Sequence, residues 1–187
     1  MSEALLRDGH TAGILLAAGA GTRFGMPKVL AERGDWLRAA VRALSDGGCD
    51  DVVVVLGAAV VDVPPPARAV IAPDWQRGPG ASLRTGLAAA VGAGHAVVLT
   101  VDTPDIGADV VARVLAGARA APSGLARAAY GNRPGHPVVI ARRHWPALTD
   151  DEGARAFLAG RDDVSAIDCA DLATGADIDT PRAPGPD

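Results

Sequence analysis

Several things are scarce in this chain, and each scarcity excludes a class of protein. Positive charge is not in excess: 18 Lys+Arg stand against 22 Asp+Glu, a formal net charge of −4. A protein that coats a polyanion needs a basic stripe to displace counterions, so nucleic acid is not an expected partner. A small phosphorylated ligand needs only one local cluster of cations. Cysteine occurs twice, at Cys49 and Cys169, too few for a disulfide framework or a cysteine-based zinc site. No apolar run approaches the roughly 20 residues that span a membrane. The longest, such as Val52–Leu56, are strand-sized. The apolar stretch within Met1–His10 is interrupted by Glu3, Arg7 and Asp8 and is too short for a signal peptide. A cytoplasmic protein without membrane attachment is expected. Aromatics make up 3%, so the core must be packed from Ala, Val and Leu. Ser45, Ser123 and Ser165 lack any nucleophile-elbow pattern, which removes support for acyl or peptide hydrolysis.

What is present is ordinary globular material: 187 residues, 49% hydrophobic and 21% charged. The length fits one domain, taken as residues 1–181, with a Pro/Gly-rich tail at 182–187. Strand and helix signals alternate. Ala12–Ala17 and Asp51–Leu56 read as buried strands, Arg68–Ala72 as a third and Ala96–Val101 as a fourth. Helices are expected from Asp35, as a cap, to the Gly47-Gly48 stop, over Gly80–Val91, and over Asp109–Ala121. Leu125–Tyr130 and His136–Ala141 flank Gly-Asn-Arg-Pro-Gly as a hairpin or a pair of extended strands. A short helix near Glu152–Leu158 and a strand at Val164–Cys169 follow, and Pro181–Asp187 is expected to fray. The order predicts an α/β fold: a mostly parallel central sheet, helices on both faces and a small antiparallel element.

The chemistry concentrates in Leu15–Leu30, LLAAGAGTRFGMPKVL. A buried strand runs into Gly19, Gly21 and Gly25, with Arg23 and Lys28 interleaved. Glycines there let backbone N–H groups approach an anion. Arg23 can grip phosphate oxygens in a fork, and Lys28 adds a mobile point charge. Ligands of open α/β sheets bind at this end of the first strand. Two familiar loops do not fit. The dinucleotide fingerprint needs G-x-G-x-x-G opening into a helix. Here the spacing is G-x-G-x-x-x-G, and Pro27 with a continuing loop denies the helix. The phosphate-binding P-loop needs Lys after Gly and Ser or Thr after Lys, whereas Lys28 lies between Pro27 and Val29.

This segment resembles the LAAGxGxRxGxPK signature of the MobA-like nucleotidyltransferases, which transfer NMP from an NTP. Within them the chain is most similar to the molybdenum cofactor guanylyl- and cytidylyltransferase group. Gly80–Leu87 (GASLRTGL), Asn132–Ile140 (NRPGHPVVI) and Asp177–Pro181 (DIDTP) resemble further segments, in the family's order. The resemblance implies a single Rossmann-like domain and a divalent metal, usually Mg2+. It implies a nucleotide site built from Leu16, Ala17, Ala18, Gly19, Gly21, Thr22, Arg23 and Lys28, with Arg23 and Lys28 as the catalytic cations.

Each remaining candidate has a plainer alternative. Asp102 ends the Ala96–Val101 strand, where a carboxylate suits a hard cation beside a triphosphate. A turn residue or a helix cap is the plainer alternative. Asp177 and Asp179 are two apart on an extended segment. Asp179 is favoured as the second metal ligand and Asp177 is the alternative; a cap before Thr180-Pro181 is the plain reading. Ser82 and Arg84 open a helix whose free N–H groups suit polar ligand atoms. The resemblance lays that helix over the base and ribose, while a capped surface helix with Arg84 in solvent is the alternative. His136 is assigned to the acceptor side by resemblance and is otherwise structural. His10, His95 and His144 carry no partner pattern.

The expected reaction is direct transfer of NMP to a phosphate-bearing acceptor with release of pyrophosphate. Alanine at position 18 favours CTP over GTP by family analogy, its methyl narrowing the space beside the base. Molybdopterin is the first-choice acceptor; methylerythritol phosphate or a sugar phosphate is the alternative. A molybdoenzyme or chaperone would receive the product. A non-catalytic nucleotide- or cofactor-binding member is the competing class. An NAD-dependent Rossmann enzyme is disfavoured by the loop spacing.

Overall fold

The structure, a computed structural model, describes residues 9–149 and 153–180. The expected tail beyond residue 180 and the start of the expected helix at Glu152 lie outside those residues. Among the described residues, seven strands form one sheet in the order β3-β2-β1-β4-β6-β5-β7. They are β1 Thr11–Ala17, β2 Asp51–Leu56, β3 Arg68–Ile71, β4 His95–Thr100, β5 Leu125–Tyr130, β6 Arg133–Ala141 and β7 Ser165–Asp168. β1 pairs in parallel with β2 and β4, β2 with β3, and β5 with β7. β6 is antiparallel to both neighbours. One strand therefore runs against six, and it sits inside the sheet. The Gly-Asn-Arg-Pro-Gly segment is a tight hairpin: Gly131-Asn132 make the turn, and Arg133–Gly135 already belong to β6.

The pleat divides the apolar residues between two cores. Leu15 and Ala17 of β1, Val52, Val54 and Leu56 of β2, and Val97 and Leu99 of β4 face one cluster. Helices α1 Asp35–Asp46 and α3 Ala108–Ala120 cover it. Ala12, Ile14, Val53, Val55, Ala96 and Val98 face the other, under α2 Pro79–Ala89 and α4 Gly153–Leu158. Near-continuous Val, Ile and Leu runs are what strands buried on both faces require.

Two local expectations change. Asp35 is the first residue of α1, not its cap; Gly34, at φ 84°, holds the cap position with no side-chain hydrogen bond. The stretch after Pro27 is not continuous loop. Lys28–Gly34 forms kinked 3-10 turns, broken where Ala31, Glu32 and Arg33 leave helical dihedrals. The denial of an α-helix there stands.

Candidate active site

The site follows from the adjacency of β1 and β4. Leu16 pairs with Thr100, and Val101 N–H donates to the Leu16 carbonyl at 3.2 Å. The chain leaving β1 at Ala18 and the chain leaving β4 at Asp102 thus emerge side by side. From β1 the strand order runs outward in both directions, and in an open α/β sheet such a switch in strand order opens a crevice at the carboxyl ends of the strands. A cleft of about 560 Å³ lies there.

The glycine-rich loop forms one wall. Gly21 takes φ +62°, and a Cβ there would collide with the Met26 carbonyl oxygen, so the turn requires glycine. Gly25 N–H closes it onto the Gly21 carbonyl at 2.8 Å. Phe24 anchors it to α1 by packing on Trp36, ring centroids 5.4 Å apart.

Lys28 stands at the centre. Its Nζ donates to Asp102 Oδ2 and to Asp179 Oδ1, each at 2.9 Å. The three residues are separated in sequence by 74 and 151 positions. Burial alone would lower the Lys28 pKa, but the hydrogen bonds and charges of the two carboxylates outweigh it and raise the ammonium above the ordinary lysine value. Asp179 is correspondingly held below the usual carboxylate range, first by its hydrogen bond from Lys28 and then by the lysine charge. Arg23 reaches Asp179 Oδ2 at 3.4 Å with its side chain largely in solvent. It extends over the cleft mouth rather than lying pinned.

Asp102 and Asp179 thus place two hard oxygen donors around one cationic centre, already balanced by an ammonium. That donor set suits a cation of the Mg2+ or Mn2+ type, which takes one or two carboxylates and completes its shell with phosphate oxygens and water. Among the described residues no group of three or more His, Cys, Asp or Glu side chains converges on a metal position. Asp177 lines the cleft, but it is Asp179 that reaches Lys28. Asp102 does not cap α3; Gly107 occupies that position.

Leu16, Ala17, Ala18, Gly19, Gly21, Thr22 and Ser82 all line the cleft with Arg23 and Lys28. Three candidates have further features of placement. Arg84 lies on the far side of α2, along a separate groove of about 760 Å³ shared with Arg77 and Trp145. On a helix, positions two apart face different directions, so Ser82 lines the cleft and Arg84 the groove. His136 is not among the cleft-lining residues. Its Nδ1 donates to the Val98 carbonyl at 3.2 Å, and burial pushes its pKa below the usual histidine range. Ala18 is 5% exposed, and its methyl packs into the α2-side core opposite Gly57 and Trp75.

Sequence reasoning passed over Phe24 and Gln76, which also line the cleft. Phe24 lay within the singled-out loop, but nothing local announced its partner Trp36. Trp75 both packs in the core and forms a cleft wall.

The geometry has counterparts in known proteins. Residues 13–165 match the MobA-like NTP transferase domain. Nicotine blue oxidoreductase of Paenarthrobacter nicotinovorans is 40% identical, the match covering 90% of this chain and 91% of that protein. The crystal structure of Rv0371c from Mycobacterium tuberculosis H37Rv is similar at 25% identity and a TM-score of 0.71, covering 91% of this chain and 93% of that one. A Rv0371C complex with manganese is similar at 22% identity and a TM-score of 0.65, covering 86% and 88%. A strand-end cleft of this construction and a family match over most of the chain agree: this protein belongs to the MobA-like NTP transferase family.

Proposed function

We propose that this protein is a nucleotidyltransferase that moves NMP, with CTP the favoured donor, onto the phosphate of a small acceptor, with molybdopterin the first choice. The observation that carries the reading is Lys28 held between Asp102 and Asp179 beside the glycine-rich loop. The acceptor phosphate attacks the α-phosphorus and pyrophosphate leaves. The acceptor is already an anion, so no covalent enzyme intermediate is required, and catalysis is positioning plus charge stabilisation.

Loop amides around Gly19 and Gly21 would receive phosphate oxygens. Lys28 would release its carboxylates and take up the β- and γ-phosphates, with Arg23 closing over them. Asp102 and Asp179 would hold the divalent cation, expected to be Mg2+. When bound, that ion supplies positive charge and Lewis acidity at the α-phosphate. Ser82 and the Trp75 wall would border the base, and the CTP preference rests on the family pattern at Ala18. A cytoplasmic location and hand-over of the product to a molybdoenzyme or chaperone accompany this reading. No helix among the described residues is long and apolar enough to cross a membrane.

The test is pyrophosphate release with CTP, GTP, ATP and UTP in turn, with Mg2+ and molybdopterin, beside an acceptor-free control. Release with CTP alone, dependent on acceptor and metal, supports the reading. Release with GTP keeps the reaction and reverses the base preference. Nucleotide binding without release from any NTP turns the assignment toward another acceptor or a binding role. A second reading, an oxidoreductase, rests on the name of the 40%-identical relative, nicotine blue oxidoreductase. It predicts turnover of nicotine blue and no pyrophosphate release from any NTP.

A further inference from the structure

The second carboxylate of the site arrives on a segment without regular structure, Cys169–Thr180, and it must be held against the first. The turn that carries Asp102 does this holding. Asp105, three residues on, accepts three donors on one oxygen: Thr174 N–H at 2.7 Å, Thr174 Oγ1–H at 2.6 Å and Gly175 N–H at 3.2 Å. Immediately before Asp179, at the other end of the same stretch, Ile178 N–H donates to the Asp102 carbonyl at 2.9 Å. Residues 174–178 are therefore tied at both ends to residues 102–105. Gly175, at φ +60°, seats this span against Tyr130, whose ring a Cβ would strike. Tyr130 is fixed in turn by donating its hydroxyl to the His136 carbonyl at 2.7 Å. More distant anchoring comes from Arg113, bidentate to Asp171 at 2.6 and 3.0 Å.

We propose that Asp105 is a positioning residue that sets the separation of Asp102 and Asp179 by clamping the Thr174-Gly175 turn. The proposal rests on the reading of those two carboxylates as a shared cation site. Asp105 is not among the cleft-lining residues; it acts through the backbone leading to Asp179. An outer partner of this kind sets how well a ligand pair is organised, and its loss typically weakens metal affinity on the order of 10–100-fold.

The test is Mn2+ binding to the full chain, read from the free-ion EPR signal with CTP and separately with GTP, without acceptor. The variants are Asp105→Ala, Asp105→Asn, Thr174→Ala, Arg113→Ala and Asp179→Ala. Asp105→Ala should weaken Mn2+ by about 10-fold or more. Asp105→Asn, which keeps a carbonyl acceptor, should restore most of it. Thr174→Ala, which removes one of three donors, should weaken it less, and Arg113→Ala should leave it at the wild-type value. Asp105 is exposed, so the melting temperature of its variants should stay close to wild type. If Asp105→Ala fails to fold, Thr174→Ala carries the test, and wild-type affinity in it overturns the proposal. Wild-type affinity in Asp105→Ala, with Asp179→Ala weakened, overturns the clamp and leaves the site intact. Equal weakening by Arg113→Ala and Asp105→Ala overturns it as well, since general anchoring would then suffice. Wild-type affinity in Asp179→Ala overturns the cation-site reading and the clamp with it.

Discussion

Two hollows flank α2, and both are lined by cations, yet they are built differently. In the cleft, Lys28 meets one carboxylate just beyond the end of β4 and another from the irregular segment Cys169–Thr180. In the groove on the far side, Arg142 donates to the carbonyls of Ala90 and Ala93 at 3.4 and 3.2 Å and lies 4.9 Å over the Trp145 ring. The first arrangement gathers charge at the ends of parallel strands, where a ligand can replace one partner with another. The second satisfies the backbone at the end of a helix and covers an aromatic face, which is a structural task. Counting basic residues does not separate the two; asking what each cation would exchange its partner for does.

That contrast can be broken by experiment. Replacing Lys28 with Ala should lower kcat for pyrophosphate release by about 10²–10³-fold, as loss of one preorganised donor does; near-wild-type turnover would remove the distinction. Without nucleotide, the same variant should bind Mn2+ more tightly than wild type, because an internal cation no longer competes for Asp102 and Asp179. Arg142→Ala should leave turnover unchanged and cost about 1–2 kcal/mol in stability through lost hydrogen bonds and ring contact. Urea denaturation beside a turnover assay reads both.

Smaller effects sharpen the picture. His136 is held below the ordinary histidine value by burial, so the unfolded chain binds a proton more readily than the folded one. Stability is then full above the ordinary histidine range and is lost as the pH falls through it. His136→Gln should flatten the fall in melting temperature between about pH 7 and pH 5, whereas a residue at an acceptor subsite would change KM instead. The Cys49 thiol is pushed up to about 12, chiefly by burial and then by Asp50. Cys169 is also raised by burial. Neither should react with a thiol reagent at neutral pH until the protein unfolds, and a fast-reacting native thiol would contradict their placement in the core.

The strands and helices were legible because strands buried on both faces must be continuous Val, Leu and Ile. Asp51–Leu56, with Val52–Leu56 as its apolar run, and Leu125–Tyr130 have the bounds read from the sequence. The reversed β6 was less legible. The Gly131-Asn132 turn announced a hairpin, but not that it would insert beside β4 in the middle of the sheet. The first wall of the site was legible for a local reason: glycines, Arg23 and Lys28 follow a strand within a dozen residues. That Arg84 and His136 lie outside the cleft lining was not legible, because a segment's motif does not say which way its side chains turn. Helix pitch sent Arg84 to the other groove, and the pleat turned His136 back toward Val98.

By itself, then, the amino-acid sequence determined the α/β alternation, the phosphate-type loop and the candidate carboxylates. Each is written in local periodicity or in residue types a few positions apart. The partnership of Lys28 with Asp102 and Asp179, and the part Asp105 plays in holding it, was decided only when the β1–β4 pairing brought distant segments to one strand end. Hydrogen bonds across 74 and 151 residues have no periodicity to betray them. They exist because the chain closes on its core.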